Sequence, residues 1–343
     1  MSLYIDDAQR GKIHQLRTSW RWRSEWPTWL LIVGIYSGWI STALNARSIG
    51  IPLATGILAV LSSLYLSLQH ELLHGHPTRF PLLNALLGVA PLAVWFPYAV
   101  YREAHLRHHN DVHLTDPDLD PETYFVSAER WRAAGPVVRA LLLVRNTFFG
   151  RIVLGPLFSI VETLLSALTQ IARGNSRVAG AWALHLVLLG LLAAWLDRRC
   201  GINLAVFVFG VGYPALALGA VRSFQEHRAA DNIGERSVIN EAGWIWRILF
   251  LNNNFHSVHH DLPGVPWFAL PAIYRGDREA YLQRNGGFIV RGYRQWMVQH
   301  AVKPVAPALH PLHARAGQIA LAQRSAAKAT AAATIGGDVA QPV

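Results

Sequence analysis

The sequence contains a single cysteine, Cys200, and only 15% charged residues. One cysteine excludes an internal disulfide, a cysteine-rich zinc site, an iron–sulfur cluster and c-type haem attachment. Redox chemistry would therefore need electrons from another protein. The scarcity of charge accompanies 52% hydrophobic residues and a mean hydropathy of +0.22, which argues against an ordinary soluble domain.

The net charge of +10 raises the possibility of nucleic-acid binding. The basic residues, however, lie between long apolar runs and form no compact patch. We interpret them as topology signals and as contacts to anionic lipid head groups, and we expect no nucleic-acid partner. The polar N-terminus of mixed charge predicts no cleavable signal peptide.

Four segments are long and apolar enough to cross a bilayer as helices. Arg47 lies in the short turn between the first two, and residues 197–200 form the turn between the last two. The prediction is an all-α integral membrane protein with four transmembrane helices in two hairpins. The four segments are approximately residues 29–44, 51–68, 179–196 and 202–221.

Two further apolar stretches are harder to assign. Residues 81–100 contain Pro91 and Pro97 and could form a re-entrant piece, an interfacial piece or a span. Residues 137–168 mix arginines and Glu162 with leucines, which indicates helices lying at the membrane surface.

Basic residues predict the orientation of the chain. The two hairpin turns carry Arg47, Arg198 and Arg199, whereas the other 28 of the 31 lysines and arginines lie elsewhere. Both termini and the remaining polar segments should therefore be cytoplasmic. The compact design without targeting signals favours a bacterial inner membrane. We expect an N-terminal cytoplasmic segment (1–28), a membrane domain (29–312) and an Ala-rich flexible tail (313–343).

Eleven of the 16 histidines lie in four places. On a helix, residues at i, i+3 and i+4 share one face, so each of three clusters should present its imidazoles together. All four places fall on the predicted cytoplasmic side. They are His70, His74 and His76; His105, His108, His109 and His113; His227; and His256, His259 and His260.

Neutral imidazole is a common ligand of iron, zinc and copper. So many imidazoles together without a metal would repel when protonated and leave buried donors unsatisfied. They are too many for one ion, so the pattern predicts two metals. The candidate ligands are His70, His74, His105, His108, His109, His227, His256, His259 and His260.

Each cluster alone has a simpler interpretation, such as a surface pair or a buried structural histidine, and only their combination argues for a metal centre. Ligation by His76 and by His113 stays open. The isolated histidines, which we expect to be structural or solvated, are His14, His185, His300, His310 and His313.

Acidic side chains near the clusters should mainly accept hydrogen bonds from metal-bound imidazoles, with direct ligation less favoured. The acidic run at 116–122 lacks the glycine and the ligand spacing of an EF-hand. The acidic residues are Glu71, Glu103, Asp111, Asp116, Asp118, Asp120, Glu122, Glu226 and Asp261.

The order HxxxH, HxxHH and HxxHH, interleaved with two hydrophobic hairpins, resembles the membrane fatty acid desaturase superfamily over roughly residues 29–275. The resemblance implies four transmembrane helices and a cytoplasmic helical cap that holds two Fe ions. It also implies oxidation of lipid acyl chains with O2 and two electrons. His227 occupies the place of a further ligand in acyl-CoA desaturases. Ser223 stands where those enzymes have an asparagine that holds a metal-bound water, which puts that water in doubt.

The same motifs leave several functions open. HELLHGH is similar to the first box of alkane ω-hydroxylases, and NNNFHSVHHDLPGVPW is similar to the ends of desaturases and carotenoid ketolases. Fatty acyl desaturation is the leading prediction, with lipid or alkane hydroxylation and carotenoid oxidation as alternatives. A zinc membrane hydrolase would need only three ligands. A metal transporter or receptor should carry more ionisable residues within its spans than His185.

The resemblance also implies partners. We expect the lipid bilayer, a fatty acyl or other lipid substrate, and an external electron donor such as a ferredoxin, a rubredoxin or a cytochrome b5-like protein. The substrate, its carrier and the oxidised position stay open. Aromatic residues near the boxes could line a substrate tunnel or pack at the interface; they are Trp95, Phe96, Tyr98, Tyr101, Phe224 and Phe255.

Overall fold

The computed structural model of the protein describes residues 3–314, so the predicted tail from residue 315 onward lies outside the described residues. The described part is mostly helical. Its α-helices are α1 (Asp7–Thr18), α2 (Trp20–Ser24), α3 (Trp26–Leu44), α4 (Ala46–Ile49), α5 (Ile51–Leu73), α6 (Pro81–Gly88), α7 (Tyr98–His108), α8 (Ala128–Ala133), α9 (Pro136–Arg145), α10 (Phe148–Ala172), α11 (Ser176–Trp195), α12 (Tyr213–Arg222), α13 (Trp244–Leu249), α14 (His256–Asp261), α15 (Leu270–Gly276), α16 (Arg278–Arg284) and α17 (Tyr293–His300).

Short irregular turns extend some of these helices. A π-helical turn continues α11, and another precedes α12. Two short strands, β1 and β2, pair in parallel with Ile239 opposite Ile289. The ranges are Leu196–Cys200 and Val206–Gly212 for the π turns, Asp111–His113, Ser223–Gln225 and Ile233–Glu235 for 3-10 turns, and Ile239–Asn240 and Ile289–Val290 for the strands.

All four segments predicted to span the membrane are helical. Within residues 3–314, five helices are long and apolar enough to cross a bilayer, one more than predicted. The additional one is α10, a single helix of 25 residues in the stretch where we expected surface helices. The five candidates are Trp26–Leu44, Ile51–Leu73, Phe148–Ala172, Ser176–Cys200 and Val206–Gln225.

The two predicted hairpins pack against each other. Between the hairpins, the ring of Trp39 in α3 lies 6.1 Å from the ring of Phe207, and within the first hairpin Trp39 Nε1 donates to Ser62 Oγ of α5 at 3.0 Å. Their turns also meet, because a Cβ at Gly201 would lie 2.8 Å from Arg47 Nε. Gly201 has a φ of +75°, which glycine adopts without strain. Both hairpin turns therefore lie at the same end of the molecule.

Residues 81–100 do not form a candidate span. Helix α6 ends at Gly88, whose carbonyl accepts from Tyr65 Oη and Gln69 Nε2 of α5, each at 2.7 Å. Ser62 Oγ donates to the Leu92 carbonyl at 2.8 Å. These bonds satisfy non-helical backbone against α5, as backbone at membrane depth requires, and they fix the start of α7.

The outer faces of the long helices expose large apolar side chains. Leu53, Val187 and Leu191 are 61%, 60% and 65% exposed, and Phe209 is 68% exposed. Such a surface would be costly in water and suits contact with lipid acyl chains.

The opposite end of the molecule carries a compact layer of short helices with its own core. Ile13 of α1 packs there with Val258 of α14 and with Tyr281 of α16. Gln9 Nε2 donates to Tyr281 Oη at 3.0 Å, so the N-terminal helix is fixed to the C-terminal region. This layer covers the end of α5 at which the first histidine cluster lies.

Candidate metal centre

Four parts of the chain converge at this end of α5. His70 lies in the last turn of α5 and His74 caps it, while α7 carries His105 and His108 and is capped by His109. The third part is the turn after α12, which carries His227. The fourth is α14, which begins at His256.

The structure brings all nine candidate ligands together, in two groups. Within each group, one potential ligand atom of every histidine lies within 4.8 Å of the others. The five-histidine group consists of His70, His74, His105, His109 and His259, and the four-histidine group consists of His108, His227, His256 and His260.

The Nε2 atoms point toward one another within each group. In the five-histidine group, His109 Nε2 lies 3.0 Å from His105 Nε2 and 3.1 Å from His259 Nε2. In the four-histidine group, His227 Nε2 lies 3.1 Å from His108 Nε2 and 3.0 Å from His256 Nε2. Two nitrogens bound at right angles to one ion at ~2.1 Å would be about 3 Å apart.

Several of these nitrogens have no partner within the described residues. Nε2 of His70 and Nε2 of His74 are buried without a hydrogen bond, and so is Nδ1 of His109. Buried polar atoms are rarely left unpaired, because each costs about 1–3 kcal/mol. The donor set of each group fits one transition-metal ion, and the orphaned Nε2 atoms of His70 and His74 support this further for the five-histidine group.

Polar side chains contact several of these imidazole rings at Nδ1, the ring nitrogen other than the Nε2 that faces the group. His108 Nδ1 contacts Asp120 Oδ1 at 2.8 Å, and His105 Nδ1 contacts Glu122 Oε1 at 2.9 Å. A carboxylate on the far nitrogen of a ligating imidazole fixes the tautomer and the ring orientation. Two of the predicted carboxylates therefore have the contact that was expected of them.

The sequence analysis missed two further Nδ1 contacts. Asn253 Oδ1 lies 3.1 Å from His256 Nδ1, and Ser237 Oγ lies 3.2 Å from His227 Nδ1. Asn253 could have been found, since it lies one helical turn before His256. Ser237 could not, because a loop of ten residues brings it to His227.

The other predicted acidic partners are more distant or lie elsewhere. Glu71 is 3.5 Å from His70 Nδ1, and Glu226 is 3.6 Å from His256 Nδ1. Within residues 3–314, no ion pair joins Glu103 to either histidine group, and Asp118 likewise contacts neither group.

Burial and mutual repulsion keep most of the imidazoles neutral. Burial, followed by the charge of neighbouring histidines, holds the pKa of His74, His109 and His259 well below its ordinary value. The same two causes lower the pKa of His227 and His256. Neutral imidazole is the form that binds metal, so these rings are poised as ligands.

His108 differs from its neighbours. Burial alone would lower its pKa, but the Glu122 and Asp120 carboxylates raise it to about 9. The charge of His105 and His108 in turn holds the pKa of Glu122 below its ordinary value, although burial opposes this. A metal that binds His108 must therefore displace a proton.

Among the described residues, three buried histidines lie outside both groups: His76, His185 and His310. His76 Nδ1 contacts Glu25 Oε1 at 2.6 Å and is thereby paired with the residue that precedes α3. His185 Nε2, within α11, donates to the Val94 carbonyl at 2.7 Å. His76 and His185 therefore make structural contacts.

A smaller set of side chains lies at the surface near the acidic run. Asp116, Asp118 and His313 are close enough to share an ion, but they are only partly buried or exposed. His310 contacts Thr115 Oγ1 at 3.2 Å. His113 lies in a 3-10 turn and joins neither histidine group.

A cavity of about 320 Å³ reaches the five-histidine group at His70. Phe96 and Tyr101, two of the six predicted tunnel residues, line it together with Ser223; the other four are not among its lining residues. The apolar part of its wall includes Leu66, Ala93, Val100, Phe158, Leu216 and Phe250.

The fold and the site define a helical membrane protein with two histidine clusters, one of which borders a cavity. Residues 48–292, more than two thirds of the chain, match the family described as fatty acid desaturase. The chain belongs to the fatty acid desaturase family. A search of curated proteins gives no match. The family and the two histidine groups fit a di-iron lipid oxidase, and membership of the family suggests an oxidoreductase.

Proposed function

We propose that the protein is an O2-dependent di-iron enzyme that desaturates a fatty acyl chain. The observation that carries this proposal is the geometry of the site. Nine buried or half-buried imidazoles converge in two groups, and one of the groups borders a cavity whose wall contains both apolar and charged side chains.

The five-histidine group would hold one iron and the four-histidine group the other. When bound, the irons would supply the activation of O2. Desaturation removes two hydrogens from neighbouring carbons, and O2, two electrons and two protons balance the reaction to two waters. All nine predicted ligands are thus assigned, and His76 and His113 are not among them.

The protein's own residues would orient the substrate and the ligands. Asp120, Glu122 and Asn253 fix rings through Nδ1 and so limit movement of the ligands. Phe96 and Phe250 would confine an acyl chain in the cavity beside His70. Because the site is buried, bulk water would be excluded from the reaction.

We propose that four helices cross the membrane and that α10 lies at its surface. Phe148, at the start of α10, packs edge-to-face against Phe224 at the histidine end of the molecule, with the ring centres 5.3 Å apart. Three residues after α10 ends, α11 begins its course to Cys200, which lies beside the turn at Arg47. If α11 starts at the histidine end, α10 begins and ends on the same side and cannot cross.

The same topology supports the proposed location. The paired hairpin turns carry only three of the 31 lysines and arginines, so we place them on the outer side. The histidine groups and both termini would then face the cytoplasm, in a bacterial inner membrane. With one buried cysteine the chain lacks the ligands for its own iron–sulfur centre, which supports an external donor such as a ferredoxin, a rubredoxin or a cytochrome b5-like protein.

The proposal can be tested by co-expression with a ferredoxin and its reductase, followed by mass spectrometry of the extracted lipids. We expect acyl chains lighter by two hydrogens, and none in cells that express His259→Ala at the same level. His14→Ala is the matched control, because His14 is exposed and belongs to neither group.

Other products would redirect the assignment. Hydroxylated chains would replace desaturation with hydroxylation at the same site, and oxidised carotenoids would indicate the ketolase alternative. No oxidised lipid with any of the three donor types, from a protein loaded with iron, would contradict the proposal.

A further inference from the structure

The wall of the cavity contains two arginines that the proposed chemistry does not use. Arg145 ends α9 and Arg151 lies in the first turn of α10, and both line the cavity that reaches His70. Arg145 is 5% exposed and Arg151 is 9% exposed. A buried guanidinium remains charged, so each must find compensation inside the protein.

Neither arginine has a carboxylate partner within residues 3–314. Arg145 Nε and two nitrogens of Arg151, Nε and Nη2, are buried without a hydrogen bond. Arg145 Nη2 donates to the Tyr124 carbonyl, and the Arg151 guanidinium lies 4.6 Å from the centre of the Tyr124 ring. A carbonyl and a π face compensate a buried charge only in part.

The other charged groups in the cavity wall are already paired. Arg222 donates to Glu226 at 2.9 Å, and Glu122 is held by His105. Glu162 accepts from Arg130 at 3.1 Å, and both of these side chains are largely exposed. The unpaired positive charge of the cavity is therefore concentrated at Arg145 and Arg151.

Gly155 supports this arrangement from the next turn of α10. A Cβ at this position would lie 3.0 Å from Arg151 Cδ and 3.7 Å from the Ala220 Cβ. The absence of a side chain leaves room for the stem of Arg151 between α10 and α12. The guanidinium is thus seated at the cavity wall by close packing.

We propose that Arg145 and Arg151 form a binding subsite for an anionic group of the lipid substrate, a carboxylate or a phosphate. This inference rests on the proposed function, because it takes the lipid that is oxidised at the histidine groups as the ligand. Guanidinium groups match the geometry of both anions and form strong charge-assisted hydrogen bonds with them. The anionic group would anchor the substrate while its chain extends along Phe96 and Phe158 toward His70.

Binding to the purified full-length protein in nanodiscs of neutral lipid tests this subsite without turnover. The probes are palmitic acid, hexadecyl phosphate and hexadecanol, which share a chain and differ in the head group. We expect at least one of the two anions to bind roughly tenfold to a hundredfold more tightly than the alcohol. Arg151→Gln and Arg145→Gln should each remove most of that preference and leave alcohol binding unchanged.

Arg173→Gln is the matched control, since Arg173 is an exposed arginine at the other end of α10. Preference for palmitic acid alone would identify a free carboxylate, and preference for hexadecyl phosphate alone would identify a phosphate-bearing lipid. Equal binding of all three probes to the wild-type protein would overturn the proposal, and so would a preference that survives in both variants.

Thermal unfolding and iron content are measured for each variant, so that a folding defect is recognised. If Arg151→Gln does not fold, Arg151→Lys keeps the charge and should retain part of the preference. Anion preference without lipid oxidation would support this subsite and count against the proposed reaction. Lipid oxidation without anion preference would do the reverse.

Discussion

The five-histidine group and the four-histidine group contain the same type of ligand but differ in how firmly it is held. All members of the four-histidine group are buried, and three of its Nδ1 atoms contact Asp120, Ser237 and Asn253. In the five-histidine group, His74 and His109 are half-buried.

The groups also differ in their access to the cavity. Among the described residues that line it, His70 is the one member of either group. Within residues 3–314, Nε2 of His70 and Nε2 of His74 lack protein partners, whereas in the four-histidine group His227 Nε2 lies about 3 Å from Nε2 of His108 and of His256. Under the proposed function, the comparison predicts one closed, pre-oriented metal site and one site that faces the substrate. The two sites should therefore respond differently to perturbation.

The largest effect should follow the loss of a ligand. His256→Ala should empty the four-histidine group and His259→Ala the five-histidine group, each weakening its own metal by more than about a hundredfold. Activity should vanish in both variants, because each leaves only one ion. Iron analysis should find about one iron per chain in each, while His14→Ala keeps the wild-type content. Full iron content in both variants would contradict the division into two groups.

Metal affinity should fall tenfold to a hundredfold when a side chain that contacts Nδ1 of a ligating histidine is lost. Asp120→Asn removes the buried carboxylate from His108, and Glu122→Gln removes the one from His105. The first should weaken the metal more, because the Asp120 side chain is 2% exposed and that of Glu122 is 29% exposed. Competitive titration with a chelator measures both affinities.

The exposed Glu129 provides a matched control, since Glu129→Gln removes a carboxylate from the next helix without a contact to either group. Equal losses of affinity in Asp120→Asn and Glu122→Gln would remove the distinction between a closed and an open site.

The two histidine groups should also lose their metal at different rates. A chelator should withdraw iron in two phases of similar amplitude, with the five-histidine group emptied first, because it borders the cavity and is less buried. A lipid bound in the cavity should slow the first phase and leave the second unchanged. The time course of chelate absorbance reports both, and a single phase insensitive to lipid would contradict this expectation.

The smallest effect should come from the scaffold that joins α5 to α7. Tyr65→Phe removes one hydrogen bond to the Gly88 carbonyl, which still accepts from Gln69. We expect a loss of ~1 kcal/mol in the free energy of unfolding, together with a slight weakening of the five-histidine group alone. Tyr274→Phe removes a bond to Glu241 in the C-terminal layer and serves as the comparison in the same thermal-unfolding experiment.

The sequence predicted which histidines meet but not how they divide. Spacings of i, i+3 and i+4 place His105, His108 and His109 on one side of a helix, yet the structure sends His105 and His109 to one group and His108 to the other. Adjacent side chains on a helix face diverge by enough to reach two sites. The division depends on where the neighbouring helices lie, which spacing does not contain.

The surroundings of helix α10 and of the cavity arginines could not be predicted from the sequence either. Residues 137–168 combine leucines with Arg145, Arg151 and Glu162, and this mixture indicated a helix at a water interface. In the structure, all three of these charged side chains line the cavity, so part of the polar face borders the cavity that reaches His70. A polar stripe looks the same in sequence whether it contacts water, a lipid head group or a binding site.

Length and hydropathy indicate a candidate span in each of the four predicted segments, but the same two properties also indicate α10 and so do not fix the number of helices that cross. By contrast, the pairing of His76 with Glu25 could not be predicted from the sequence. The two residues are 51 positions apart, and only the packing of α3 against α5 brings them together.

The central claim, two iron ions held by nine histidines, is tested most directly by the iron and zinc content of the wild-type protein. The protein is purified in detergent from cells grown with iron available, and each metal is quantified per chain by elemental analysis. We expect about two irons and little zinc. One zinc and no iron would contradict the di-iron account and would favour a zinc hydrolase.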